Sequence, residues 1–242
     1  MSAPPWVVLP TYEEAANIEP IVEAVLAKLP ESGRVLIVDD NSPDGTGDIA
    51  ARLAADDDRV EVLRRPRKEG LGPAYVAGFR RALDAGAGLV LEMDADFSHD
   101  PAYLPRLLEA AERADLVIGS RYVAGGGVED WSALRQAISR GGSAYARLAL
   151  GIGVRDLTGG FKCFRREVLE AIDLASVASR GYAFQVELTY RAIEQGFRVV
   201  EVPIVFRERA AGSSKMGGRI VAEAVWRVLR LRFGRHENPG RQ

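Results

Sequence analysis

Five short apolar runs, each followed by a polar loop and then a helical pattern, constrain this chain more than any other feature. They occupy residues 6–9, 34–38, 60–63, 89–91 and 115–118. The second, over 34–38, is apolar throughout after Arg34, as a parallel strand covered on both faces should be. Between them lie patterns of helical period, clearest in Ile18, Ile21, Val22, Val25, Leu26 and Leu29, and recurring up to about residue 55 and over residues 73–85 and 103–113. Such a β-α succession predicts an α/β fold with a central, mostly parallel sheet and helices on both faces. The 242 residues suffice for one such unit. With no internal repeat and no linker evident, residues 1–242 read as a single domain.

After Gly119 the alternation fades. Gly125, Gly126 and Gly127 predict a mobile loop, and residues 132–150 a helix. Residues 151–166 are dense in glycine and basic side chains and carry no strand pattern. Two further helices are expected over 168–172 and 184–195. A strand over 197–205 contains Pro203, which confines it to a sheet edge. Residues 206–215 read as a basic, flexible loop.

Ligands of open parallel sheets sit beyond the carboxyl ends of the strands. Three polar loops occupy that edge, at residues 10–14, 39–46 and 94–99. The third follows the apolar run ending in Met93 and reads Asp94-Ala95-Asp96-Phe97-Ser98-His99. Two carboxylates so close at a strand end need positive charge, and a divalent cation with oxygen ligands supplies it. Taken alone, the same residues also suit an acidic turn in which Asp100 caps the helix begun by Pro101. Neither the dinucleotide fingerprint nor the P-loop occurs, so a bound nucleotide would need another cradle.

Charge and composition narrow the classes. A net charge of −2 argues against a nucleic-acid partner, yet residues 203–242 hold nine Arg or Lys against three Glu. That basic end implies a partner of its own. The single cysteine, Cys163, excludes a disulfide framework and reads as core. No signal peptide and no apolar stretch of spanning length is evident.

Six segments in order carry a specific resemblance: Leu9-Pro-Thr-Tyr-Glu-Glu14, Val38-Asp-Asp-Asn-Ser-Pro-Asp-Gly-Thr46, Lys68-Glu-Gly-Leu-Gly-Pro-Ala74, Met93-Asp-Ala-Asp-Phe-Ser-His-Asp-Pro101, Gly119-Ser-Arg-Tyr122 and Asp156-Leu-Thr-Gly-Gly-Phe-Lys162. Over roughly residues 5–216 the chain resembles the family 2 glycosyltransferases of the GT-A fold, and among them the polyprenol (dolichol) phosphate mannose synthases. The resemblance implies a nucleotide-binding half over about 5–122, an acceptor half over about 123–216 and an amphipathic basic tail over 217–242. Pro10, Tyr12 and Glu14 match the first nucleotide loop, and Val38 and Asp39 the strand end that meets the nucleoside. Asp94, Ala95 and Asp96 match the motif for Mg²⁺ or Mn²⁺. Ser98 stands where some relatives carry Gln as a further ligand. Arg121, Arg140, Arg209 and Lys215 match the basic positions that grip the donor diphosphate or the acceptor phosphate. Of all these, Asp94, Asp96, Arg121, Arg209 and Lys215 are the expected catalytic set.

The implied reaction is an inverting transfer of mannose from GDP-mannose to a polyprenyl monophosphate. A phosphate monoester is already ionised near pH 7 and needs no general base. This suits a chain with only two histidines, His99 and His236, although Asp94 stays open as a base. UDP-glucose as donor fits the same motifs, and a non-catalytic nucleotide-sugar-binding subunit is the remote alternative. The loop Gly212-Ser-Ser-Lys215 is the expected lid. Residues 218–233 predict a helix with Glu223, Arg227 and Arg230 in a narrow stripe and a wide apolar face. That face suits a membrane surface, a membrane-protein partner or the domain's own sheet. A peripheral protein on the cytoplasmic side of the membrane is the expected setting.

Overall fold

The computed structural model describes residues 3–177, 181–207 and 228–233. Its elements follow the expected succession: β1 (Pro5–Thr11), α1 (Ile18–Leu26), β2 (Arg34–Asp39), α2 (Thr46–Asp56), β3 (Val60–Arg64), α3 (Leu71–Asp84), β4 (Leu89–Glu92), α4 (Leu104–Ala111) and β5 (Leu116–Ser120). Then come β6 (Gly127–Val128), α5 (Ala133–Leu150), β7 (Lys162–Arg165), α6 (Arg166–Ala171), α7 (Tyr182–Glu194), β8 (Val199–Pro203) and β9 (Val205–Phe206).

Seven strands form one sheet in the order β3-β2-β1-β4-β7-β5-β8, and β6 pairs with β9 in a separate two-stranded ladder. All neighbours in the large sheet run parallel except β7, which is antiparallel to both β4 and β5. The chain winds outward from β1 to β3, then returns to place β4 on the other side of β1. That reversal opens a crevice between β1 and β4 at their carboxyl ends, the position where α/β sheets bind ligands.

Period-two alternation splits the strands between two cores. Trp6, Val8, Leu36 and Val38 face one core with Tyr75 and Phe79 of α3 and Phe184 of α7. Val7, Leu9, Val35 and Ile37 face the other, with Ile18, Ile21, Val22 and Val25 of α1 and Leu104 and Leu107 of α4. Gly78 lets α3 lie close on the sheet, because a Cβ there would come within 2.4 Å of Val8 Cγ1.

Three expectations need correction. Residues 162–165 form β7 inside the stretch read as strandless. Lys162 is fully buried opposite Glu92, so a charged residue occupies an inward position where an apolar one would have signalled a strand. The triple glycine is pinned rather than loose. A Cβ at Gly126 would lie 2.5 Å from the Ser120 carbonyl oxygen, and Gly127 enters the ladder with Val205. The strand expected over 197–205 is divided, its first part being β8 at the sheet edge with Pro203 at its end. Cys163 is core, its thiol pushed up to about 12 by burial.

Candidate active site

β1 runs into Pro10, Thr11 and Tyr12, and β4 leads into Asp94, Ala95 and Asp96. With Glu14, Asp40, Lys68, Gly70, Leu71 and Ala74 they line one open cleft at the crevice. Two loops knit its rim. The N–H groups of Glu13, Glu14 and Ala15 donate to Ser42 Oγ (3.1 Å), Thr46 Oγ1 (2.9 Å) and Asp44 Oδ2 (3.1 Å). Ser42, Asp44 and Thr46 therefore fix the loop that follows β1.

Asp39 and Asp40 point to opposite sides, as neighbours on a strand must. Asp40 faces the cleft, where its Oδ2 accepts the N–H groups of Glu69 and Gly70 at 2.9 Å each and its Oδ1 pairs with Arg65. This clamps residues 65–70 at the cleft and presents Lys68, whose Nζ lies 3.3 Å from the centre of the Tyr12 ring. Asp39 is buried and accepts the Ser42 N–H at 3.3 Å. Its Oδ2 would lie 2.7 Å from a Cβ at Gly47, so it faces α2. Val38 packs in the core, where a Cβ at Gly78 would lie 3.0 Å from its Cγ2. Of the two residues expected at this strand end, neither lines the cleft; Asp40 does. Lys68 also lines the cleft, a position that the sequence does not signal.

The Asp-Ala-Asp segment is held from several sides. The Asp94 N–H donates to His99 Nδ1 at 3.2 Å, and the Tyr75 hydroxyl donates to Asp94 Oδ1 at 3.4 Å. Because an N–H can only donate, Nδ1 is the unprotonated ring nitrogen. His99 is buried, its ring centre 5.1 Å from that of Phe161 and 5.2 Å from that of Phe206. Burial, reinforced by Asp94 and Glu92, pushes the Tyr75 phenol well above its ordinary value and keeps it a donor. Asp96 is almost wholly buried and accepts the Ser98 N–H at 3.0 Å across Phe97, whose φ is 61°. Asp100 caps the turn begun by Pro101, so capping and cleft lining coexist in one loop.

Glu92, the last residue of β4, lies 3.4 Å from Lys162 Nζ, both fully buried. Lys162 also donates to the Gln185 carbonyl at 3.0 Å and to its side-chain oxygen at 2.6 Å. Burial raises the Glu92 carboxyl and lowers the Lys162 ammonium, and their mutual attraction opposes both shifts.

Arg121 is 5% exposed. Its Nε and Nη2 donate to Asp156 at 2.7 and 2.6 Å, and Nη2 also reaches Thr158 Oγ1 at 2.9 Å. Burial pushes the Asp156 carboxyl up, but the Arg121 hydrogen bonds and charge outweigh it and hold the group below the usual range. Arg121 and Arg140 meet at one ring, their Cζ atoms 5.1 and 5.7 Å from the centre of Tyr122. Arg209, Lys215 and the expected lid at 212–215 lie outside the described residues.

Among the described residues no group of three or more His, Cys, Asp or Glu could hold a metal ion. Asp94 and Asp96 are two carboxylates, however, and beside them the Ser98 hydroxyl is buried with no hydrogen-bond partner. An all-oxygen donor set of this size suits Mg²⁺ or Mn²⁺, which take one or two carboxylates and complete their shell with phosphates and water.

The profile described as glycosyl transferase family 2 matches residues 6–173. The undecaprenyl-phosphate mannosyltransferase of Micrococcus luteus is 51% identical over 238 residues, covering 94% of this chain and 98% of that protein. The polyprenol monophosphomannose synthase of Mycolicibacterium smegmatis is 52% identical over 224 residues, covering 92% and 84%. Glucosyl-3-phosphoglycerate synthase of Mycobacterium tuberculosis, solved with Mn²⁺, UDP and glucosyl-3-phosphoglycerate, superposes with a TM-score of 0.72 at 19% identity, covering 95% of this chain and 80% of that one. That likeness establishes the GT-A fold.

Proposed function

The chain belongs to glycosyl transferase family 2, and from that membership we propose that it moves mannose from GDP-mannose to a polyprenyl monophosphate with inversion at the anomeric carbon. The observation that carries this reading is the cleft uniting Tyr12 and Lys68 with Asp94 and Asp96. One end offers a cation over an aromatic ring, suited to a nucleoside, and the other offers carboxylates suited to a metal and a diphosphate. The names of the two half-identical relatives supply the mannosyl group and the polyprenyl phosphate.

In the proposed step an acceptor phosphate oxygen attacks the anomeric carbon. The bond from that carbon to the donor's β-phosphate breaks, and GDP departs with the electron pair. Asp94 and Asp96, with Ser98, would hold Mg²⁺ or Mn²⁺. A cation held there would supply positive charge to the donor diphosphate, on which negative charge grows as the bond to the sugar breaks. Tyr75 and His99 keep Asp94 oriented for that duty, which restricts the motion lost on binding. Arg121 and Arg140, with Arg209 and Lys215, are the proposed grip on the phosphates. Residues of about 5–122 would serve the donor and those of about 123–216 the acceptor.

No helix among the described residues is long and apolar enough to cross a membrane. Peripheral attachment on the cytoplasmic face is proposed as the way the protein reaches a lipid acceptor. Product stereochemistry tests the mechanism: a β-linked mannosyl phosphate by NMR is the expected product, and an α-linked one would rule out direct displacement.

A further inference from the structure

Among the described residues, Phe206 belongs to neither core of the large sheet. Its ring meets the candidate site instead. The ring centre lies 5.2 Å from that of His99 and 5.3 Å from that of Trp131, each pair edge to face, an arrangement that aromatic quadrupoles favour. The Arg121 guanidinium carbon lies 5.5 Å from the same centre, within cation–π reach. One ring thus touches both the histidine that accepts the Asp94 N–H and the arginine that is paired with Asp156.

The backbone holds that ring from two sides. The Arg207 N–H donates to the Ser98 carbonyl at 3.3 Å, and the Val205 N–H donates to the Tyr103 hydroxyl at 3.1 Å. Both bonds tie β9 to the loop that follows β4. On the other side the Phe206 carbonyl accepts the Glu129 N–H at 2.8 Å, just past β6. The Ile204 N–H donates to the Ser120 carbonyl at 3.0 Å, one residue before Arg121. The short strand β9 therefore joins the loop of Asp94 and Asp96 to the end of β5.

We propose that Phe206 is a positioning residue through which the donor diphosphate and the acceptor phosphate sense each other's binding. The inference rests on the reading above, which puts the diphosphate at Asp94 and Asp96 and a phosphate at Arg121. A nucleoside diphosphate bound with its cation restricts the loop over 94–99. His99, bonded to Asp94, then offers Phe206 one seat, and Phe206 in turn limits the motion of the Arg121 guanidinium. Rings packed edge to face carry such a restriction because close-packed groups do not deform continuously. A phosphate arriving at Arg121 meets a group already ordered and loses less freedom on binding. By linkage the acceptor favours the nucleotide by the same factor.

Calorimetric titration of the full chain with a short, water-soluble polyprenyl monophosphate, alone and then with saturating GDP and Mg²⁺, tests this. GDP carries no sugar, so nothing turns over. In the wild type GDP should tighten acceptor binding by about tenfold, and the acceptor should tighten GDP binding equally. Phe206→Leu should reduce that factor to about twofold or less while each ligand alone binds much as before, a split that simple loss of packing would not produce. Phe206→Tyr keeps the ring and should restore the factor. Independent binding of the two ligands by the wild type would overturn the inference without need of a variant. Equal coupling in wild type and Phe206→Leu would overturn it as well. Coupling with UDP but not with GDP would refute the proposed donor and leave this inference standing.

Discussion

Asp156 receives three hydrogen bonds from Arg121, from the backbone N–H at 2.9 Å, from Nε at 2.7 Å and from Nη2 at 2.6 Å. Asp156 itself has no exposed surface. Its own N–H and that of Arg155 donate to Glu201 on the edge strand at 2.9 Å each. The end of β5, the glycine-rich segment and β8 are therefore joined through two carboxylates, those of Asp156 and Glu201.

Replacing Asp156 by Ala leaves the Arg121 guanidinium buried without its counter-charge, which should cost about 3–5 kcal/mol by denaturant titration. The pH dependence has a definite sign. The folded carboxyl is held below its usual value, so its stabilisation is complete above the unfolded value of about 3.9 and disappears as pH falls through the lower folded one. Wild-type stability should fall more steeply below about pH 4 than that of Asp156→Asn. Parallel curves would remove the pair from the account.

The Glu92–Lys162 pair should behave non-additively. Lys162→Met strands a buried carboxylate and should cost about 3–5 kcal/mol. Adding Glu92→Gln should recover most of that loss instead of adding to it, because the buried carboxylate is then gone as well. Additive losses would mean that the two charges do not sense each other.

Gly78→Ala would set a methyl against Val8 and Val38, two β-branched core side chains with little freedom to retreat. A loss of about 1–3 kcal/mol is expected, read as a lower denaturation midpoint with an unchanged slope. No loss would mean that α3 can lift from the sheet without penalty.

Lys68→Met keeps the aliphatic stem and deletes the charge beside Tyr12. The donor KM should rise by about tenfold or less, with kcat little changed, as expected for loss of a contact made equally in ground and transition states. A fall in kcat at constant KM would move Lys68 from binding into chemistry.

Much of this arrangement was legible in the sequence because parallel strands are apolar on both faces and end in abrupt polar loops. On that basis the loops at residues 10–14 and 94–99 were placed at the strands' carboxyl ends; the family resemblance, not the pattern, singled out Pro10, Tyr12, Glu14 and Ala95 within them, and these line the cleft with Asp94 and Asp96. β7 escaped because a buried lysine stands where the pattern asks for an apolar residue, and its partner Glu92 is 70 positions away. Asp39 and Asp40 are adjacent acids at a strand end, and composition alone does not say which faces the cleft. The Arg121–Asp156 pair spans 35 residues and depends on how the glycine-rich segment folds back on β5. No local pattern encodes such contacts.

Asp96→Asn keeps an acceptor for the Ser98 N–H and removes the charge. It should lower turnover by about a hundredfold to a thousandfold while leaving the melting temperature near that of the wild type. Near-native turnover would detach the Asp94–Asp96 motif from the reaction.

The most direct measurement is transfer of labelled sugar to a short-chain polyprenyl phosphate, from GDP-mannose and in parallel from UDP-glucose, each with Mg²⁺ and then with EDTA. The account predicts a mannosyl lipid from GDP-mannose alone, lost on chelation. A glucosyl lipid from UDP-glucose, or mannosyl transfer indifferent to EDTA, would contradict it.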